Sequence, residues 1–399
     1  MEAKPPATDA AALPSRRAVP MRVLVLALGT FAVGTDAFVV AGLLPDIAAS
    51  LHVGIAAAAQ SVTVFCLAYA VLAPVLAALT GTWPRRRVLL TGLLVLAAAN
   101  AATALAPSFG ALLATRLPAA AGAALFTPAA AATATALTDP RHRARALSYV
   151  LVGLVSATAL GVPVGTLLSG TISWRTTMGL TALLAALAAA ALALWLPPVP
   201  SPPRIGLRPR LAPLGERRVA ALLATTVAIS AGNYLFHTYI AVILRPATGG
   251  DATALAVLLL VGGVAGTAGV LVTAAWADRF GPRRVVAVVT VVLAPCLALA
   301  SDAASLGLFA AAVLMGVCGF TAWSTTVPQQ HRLIAAAPHS APLAVALNAA
   351  AVYAAAAFAG GTGGLVLDGF GPTALPWAAA GCVALGLTTS ELAHRAPSK

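Results

Sequence analysis

Ala274-Ala275-Trp276-Ala277-Asp278-Arg279-Phe280-Gly281-Pro282-Arg283-Arg284-Val285 repeats the pattern of Ala77-Ala78-Leu79-Thr80-Gly81-Thr82-Trp83-Pro84-Arg85-Arg86-Arg87-Val88, 197 residues upstream. Each copy ends one long apolar run, crosses a short gap rich in arginine and starts the next run. The same offset carries Gly122 onto Gly319 and Asp36 onto Asn233. Gly161-Val162-Pro163-Val164-Gly165, followed by Gly170, parallels Gly360-Gly361-Thr362-Gly363-Gly364, followed by Gly369, at an offset of 199. In a chain rich in Ala and Gly each match is weak alone, and the shared offset is what gives them weight. Two parallel six-helix repeats about a central axis describe a transporter with its site between the halves.

Working outward, twelve apolar runs are legible: 21–44, 55–80, 88–106, 109–137, 143–170, 174–196, 218–244, 252–277, 284–301, 304–332, 340–367 and 372–393. A helix needs roughly 20 apolar residues to cross the hydrocarbon layer. Barrel strands would be about ten residues long and alternating, so these runs are helices. Of the 24 Lys/Arg, 21 fall in the two tails and in every second gap. Cationic loops resist translocation, so those gaps and both ends belong in the cytoplasm of a cell inner (plasma) membrane. The resulting division is a tail at 1–20, a six-helix bundle at 21–196, a linker at 197–217, a second bundle at 218–393 and a tail at 394–399. The linker carries seven prolines and four arginines, and Arg218 follows directly.

Composition excludes other classes. Hydrophobic residues are 60% of the chain and charged residues 9%, whereas a soluble chain carries about a quarter charged residues. The net charge of +13 is spread over short loops and forms no stripe or nucleic-acid motif, so nucleic acid is not an expected partner. The four cysteines (Cys66, Cys296, Cys318, Cys382) lie far apart within apolar runs and read as small core residues, with no disulfide or metal site. The first run is too long for a signal-peptide core and has no convincing cleavage site, so it reads as a retained span.

Several stretches carry a family resemblance. Thr80 to Arg87 occupies the place of a G-x-L-x-D-R-x-G-R-R signature, and Trp276 to Arg284 lies closer to it. In the fourth run, Arg116-x-x-Ala119-Ala120-x-Gly122-Ala123-Ala124 resembles R-x-x-Q-G-x-G-A-A. Gly153 and Gly161-x-Pro163-x-Gly165 resemble the G-x8-G-P-x-x-G pattern of antiporters, with the proline shifted. Gly34-Thr35-Asp36-Ala37-Phe38-Val39 in the first run and Pro328-Gln329-Gln330-His331-Arg332 at the end of the tenth complete the set. Together they resemble the major facilitator superfamily, in its twelve-helix drug:proton antiporter branch, over about residues 20 to 393. The chain is similar in tone to chloramphenicol-resistance, arabinose-efflux and purine-nucleoside-efflux transporters. The resemblance implies an all-α membrane fold of two pseudo-symmetric bundles, and a signature loop that latches the halves together on the cytoplasmic side. Two departures stand out: Gly81 replaces the signature Asp, and Ala37 stands where many relatives carry Glu beside the Asp.

Eleven carboxylates exist in the chain, and only Asp36 sits deep in a run. An ionised side chain in a bilayer is costly, so an intramembrane acid is a functional candidate. Counting at 1.5 Å per residue, Asp36 and Arg116 lie at one depth, about 12 and 10 Å from the outer helix ends. Asp36 is expected to bind the coupling proton and, when ionised, to be held by Arg116 or by waters. A static ion pair that fixes helix packing is the competing reading. Asn233, the repeat-equivalent of Asp36, cannot titrate but can hydrogen-bond a substrate. Tyr234 and His237 follow on its helix, although a lone membrane histidine is also satisfied by a backbone carbonyl. Gln60, Asn348 and Gln329 either line the cavity or join helices. Phe38, Tyr69 and Trp323 offer aromatic wall or core. Asp278 with Arg283 or Arg284, beside Arg279, is expected to form the latch, and Gly161, Pro163 and Gly165 a kinked, tightly packed fifth helix.

The reading is a proton-coupled antiporter exporting a small, largely apolar molecule such as an antibiotic by alternating access, with a nucleoside or sugar transporter of the same fold as alternative. No cofactor beyond the proton gradient is expected. The partners are a small-molecule substrate, protons and the lipid bilayer, and the functional unit is a monomer. An enzyme is disfavoured, because no HExxH, no paired carboxylates and no Ser–His set at matched depth is present.

Overall fold

The computed structural model describes residues 21–80, 82–138, 143–197, 217–337 and 341–395. The expected N-terminal tail 1–20, nearly all of the linker 197–217, most of the C-terminal tail and Gly81 lie outside the described residues.

Every expected run is helical. The first bundle comprises α1 (Met21–Leu51), α2 (Ile55–Leu79), α3 (Arg85–Ala104), α4 (Phe109–Ala136), α5 (Arg143–Ser156, continued through Ala157–Gly161 into Val162–Thr171) and α6 (Trp174–Trp195). The second comprises α7 (Arg217–Thr238, continued by Ile240–Ile243), α8 (Ala252–Phe280), α9 (Pro282–Ala298, continued by Ala300–Ser305), α10 (Leu308–Ser324 and Thr326–Ala336), α11 (Ala341–Phe370) and α12 (Ala374–Arg395). Among the described residues, ten helices are long and apolar enough by themselves to cross a membrane. The other two are α9, which is interrupted after 17 residues, and α12, whose last turns carry Thr388, Thr389, Ser390 and Glu391.

Differences from the sequence expectation have local causes. α1 runs past Pro45 to Leu51, and its Asp46 carboxylate accepts a hydrogen bond from the Ser169 hydroxyl of α5. α10 breaks at Thr325, where Pro328 lacks an N–H and its ring crowds the carbonyl four residues back, that of Ser324. The fifth helix does not simply kink. Its Ala157–Gly161 segment is π-helical, with the Val162 N–H donating to the Ala157 carbonyl five residues earlier. The wider turn makes room for Pro163, just beyond it.

Small residues hold α1 against α5. A Cβ added at Gly153 would meet the Ala27 carbonyl oxygen at 2.2 Å, and one at Gly165 would meet Val39 Cγ2 at 2.3 Å. The Thr30 hydroxyl donates to the Val150 carbonyl across the same seam at 2.8 Å. Without a hydrophobic drive between helices in lipid, such close backbone approach is what packs them. Gly153→Val is therefore expected to lower stability by about 1–3 kcal/mol through overpacking, read as a lower melting temperature in detergent. Gly161 is half-buried, and Pro163 and Gly165 are buried, within the first bundle; ideal Cβ atoms at Gly161 and Gly165 would meet Thr35 and Val39 of α1.

The arginine-bearing gaps act as staples in both repeats. An Arg86 N–H at the start of α3 donates to the Ala193 carbonyl of α6. Its counterpart Arg283, at the start of α9, donates to the Glu391 carboxylate of α12. At the opposite end Arg175 donates to Ser50 Oγ at 2.9 Å and to the Ala106 carbonyl at 3.0 Å, joining α6 to α1 and to the loop after α3. Asp251 caps α8, accepting from Thr253 N at 2.5 Å and Ala254 N at 3.0 Å. Those backbone donors, Ala254 first, hold its carboxyl below the usual aspartate range. The depressed folded-state value means that the cap stabilises above the unfolded pKa and is lost as pH falls through the folded one.

Candidate functional site

The two bundles meet along α2 with α11 and along α5 with α8. The close approaches run from the end away from the arginine gaps to mid-height. Ideal Cβ atoms at Gly364, Gly360 and Gly170 meet Ala56 at 3.4 Å, Thr63 at 2.2 Å and Ala252 at 2.0 Å. Deeper in, the rings of Tyr69 and Tyr353 stack with centroids 3.7 Å apart. On the other seam the π-helical turn of α5 meets α8, where a Cβ at Gly263 would lie 2.4 Å from Ala159 Cα. The molecule is closed at this end.

Two adjoining cavities lie at mid-height. The first is bounded by α5, α7, α8 and α10 and includes Thr158, Asn233, His237, Cys318 and Trp323. The second is bounded by α1, α2, α7 and α11 and includes Phe38, Cys66, Tyr234, His237 and Tyr353. His237 belongs to both. Phe38 stands at the junction, its ring 5.6 Å from Trp323 edge-on, 6.1 Å from Tyr234 and 6.4 Å from His237. One aromatic cluster thus spans α1, α7 and α10.

Asp36 and Arg116 come together as a fully buried ion pair, Arg116 Nη1 donating to Asp36 Oδ1 at 2.8 Å. Arg116 also lies over the Phe65 ring at 4.6 Å, and its Nε has no hydrogen-bond partner. The pair does not line either cavity. A helix turns about 100° per residue, so Asp36 points about 100° or more away from Ala37, Phe38 and Ala41, the α1 residues in the cavity wall. As a substrate contact, Asp36 is therefore misplaced: it faces the interior of the first bundle. Cys66, on α2, lines the second cavity.

Of the other residues singled out from sequence, Asn233, Tyr234, His237 and Phe38 do line the cavities. Gln329, Asn348, Gln60 and Tyr69 do not. Gln329 Nε2 donates to the Leu222 carbonyl at 2.7 Å, and Asn348 Oδ1 accepts from Thr226 at 2.8 Å. Both tie α7 to its neighbours, because an amide in a dry interior takes the nearest backbone or hydroxyl partner. Gln60 Nε2 reaches its own helix at the Ala56 carbonyl, and Tyr69 closes the seam with Tyr353. Sequence reasoning missed Tyr353, Thr158, Cys66 and Cys318 as wall. The only signal for Tyr353 was its place among three aromatic residues, with Phe358 and Phe370, in an alanine-rich helix.

The expected latch is also rearranged. Arg283 pairs with Glu391, not with Asp278, and Arg279 lies over the ring of its neighbour Phe280 at 5.3 Å. Among the described residues Asp278 and Arg284 form no ion pair. Arg332, expected as a loop charge, is buried. It donates to Ser390 Oγ at 2.7 Å and to the Ser390 carbonyl at 3.1 Å. Arg332→Ala should lower stability by roughly 2 kcal/mol through those lost charge-assisted bonds, again measured by thermal melting.

The sequence profile of the Major Facilitator Superfamily matches residues 26–360. The chain is 27% identical over 380 residues to the uncharacterized MFS-type transporter YbcL of Bacillus subtilis, covering 95% of this chain and 97% of that protein. It is 33% identical over 330 residues to a chloramphenicol resistance protein of Streptomyces lividans, covering 80% and 83% respectively. Among solved structures, that of the nucleoside transporter NupG superimposes with a TM-score of 0.75 over 95% of this chain and 100% of that one. At 13% identity that match speaks to the fold alone.

Proposed function

The chain belongs to the major facilitator superfamily and is a multi-pass membrane transporter of small molecules rather than an enzyme; from that premise we propose that it is a proton-coupled exporter of an antibiotic-like solute. The carrying observation is the buried Asp36–Arg116 pair beside an aromatic cavity that opens between two bundles. The 33% identity to a chloramphenicol resistance protein favours efflux.

The coupling follows from the energetics of the pair. In low dielectric an unpaired arginine costs several kcal/mol. Protonating Asp36 removes the negative charge that compensates Arg116, whose Nε is already unsatisfied. Arg116 must then find other acceptors, and the α1–α4 contact shifts. Because α1 carries both Asp36 and the Phe38 wall, that shift reaches the cavity. A proton entering from outside would thus bias the rocking of one bundle on the other, and each ligand moves the equilibrium only by its differential affinity for the two forms. With the arginine-rich end in the cytoplasm, the described form is sealed toward the outside. Both termini are then cytoplasmic, in a cell inner membrane, with the monomer as the transport unit and the proton gradient as the only energy source.

The test is chloramphenicol transport into energised everted vesicles containing the protein. Uptake that collapses on adding a protonophore supports the reading. Uptake indifferent to the protonophore, or transport of nucleosides in the opposite sense, replaces it with the alternative.

A further inference from the structure

We propose that the central cavity selects neutral, flat aromatic solutes and rejects permanently cationic ones of the same shape. This rests on the transport reading and names its substrate class. Phe38, Tyr234, Trp323 and Tyr353 supply the walls. Phe38 holds its ring neighbours at centroid distances of 5.6–6.4 Å, the separation at which edge-to-face and offset pairs attract. A flat solute can take the place of one ring in that set. The polar groups in the walls are hydrogen-bonders without a formal acid or base other than the His237 ring: the Asn233 amide and the hydroxyls of Thr158, Thr238, Tyr234 and Tyr353.

No aspartate or glutamate lines either cavity among the described residues. The one intramembrane carboxylate is turned into the first bundle, and its charge is cancelled by Arg116 at 2.8 Å. A cationic solute would therefore leave water and meet only ring faces. Cation–π attraction is small beside the desolvation of an unpaired charge. Protonation of Asp36 makes the discrimination stronger, because it leaves the Arg116 charge uncompensated beneath the second cavity. It also follows that solute and proton do not compete for one carboxylate. They act on two faces of α1, two residues apart.

The experiment is equilibrium dialysis of the full-length protein in lipid nanodiscs, with empty nanodiscs subtracted, using naphthalene-1-carboxamide and trimethyl(1-naphthyl)ammonium. The carboxamide should bind about tenfold or more tightly than the cation, and Phe38→Ala should remove that advantage. Asn233→Asp places an acid in the wall at the repeat-equivalent of Asp36 and should recruit the cation. Equal binding of the two compounds by the unaltered protein overturns the proposal, as does binding of neither. A folded Asn233→Asp protein, checked by its melting temperature, that gains no affinity for the cation overturns it too. Neutral-selective binding in a protein whose vesicles show no proton-driven export would leave this selectivity standing and remove the transport reading alone.

Discussion

Asp36→Asn is expected to yield a folded transporter that still exchanges substrate across the membrane yet no longer accumulates it against a gradient. Asparagine stands for the protonated, uncharged aspartate and keeps a side-chain oxygen able to accept from Arg116 Nη1, as Oδ1 now does at 2.8 Å, so the fold persists with the α1–α4 contact held in its proton-bound arrangement. What disappears is the site that gains and loses a proton. Proteoliposomes should show counterflow within a few-fold of the unaltered protein, while uphill transport driven by a pH gradient falls to background. Full retention of gradient-driven transport would sink the assignment of Asp36. Removing either partner outright is a different experiment. Arg116→Ala or Asp36→Ala leaves an uncompensated buried charge, at a cost of about 3–5 kcal/mol, and should appear first as loss of folded protein. That contrast separates coupling from a packing role: a static ion pair would show its effect on stability in all three variants and on the driving force in none.

Gly263→Leu should push the molecule out of the form described here. A Cβ at this position meets Ala159 Cα at 2.4 Å, the Thr158 carbonyl oxygen at 2.6 Å and Ala159 N at 2.7 Å. All three are backbone atoms in the π-helical turn of α5, so no side chain can rotate aside. Overpacking of this kind costs about 1–3 kcal/mol, and each 1.4 kcal/mol is about tenfold in a conformational ratio. The penalty falls only on the form in which α5 and α8 touch here, so the bundles should favour the alternative in which this seam is open. A cysteine introduced at Ala56, beside Gly364 on the α2–α11 seam, should then react faster with a membrane-impermeant thiol reagent. Unchanged labelling with a lowered melting temperature would mean that the seam is a fixed core and not a moving interface.

The latch residues show how far a motif can be carried. The signature segment from Trp276 to Arg284 marks the turn between α8 and α9 correctly. It does not reveal that Arg283 reaches Glu391, because that acid lies 108 residues away in sequence. The pair is substantially exposed, so it is open to solvent screening and is a weaker tie than the buried Arg332–Ser390 contact nearby.

Sequence alone determined the membrane class, the runs that became helices, the internal repeat and the identity of the one deep carboxylate. It also placed Asp36 and Arg116 at one depth. These properties are read along a single helix: hydropathy adds residue by residue, arginine loops resist translocation individually, and axial rise is fixed at 1.5 Å per residue. Tertiary structure alone decided which way each side chain points and what it meets. Asp36 turned inward to Arg116 while its neighbour Phe38 turned to the cavity. Gln329 and Asn348 became helix ties, Arg332 was buried, and Tyr353 and Cys66 entered the wall. Azimuth is settled by packing against other helices. In a chain where almost every helix face is apolar, no amphipathic stripe announces it in advance.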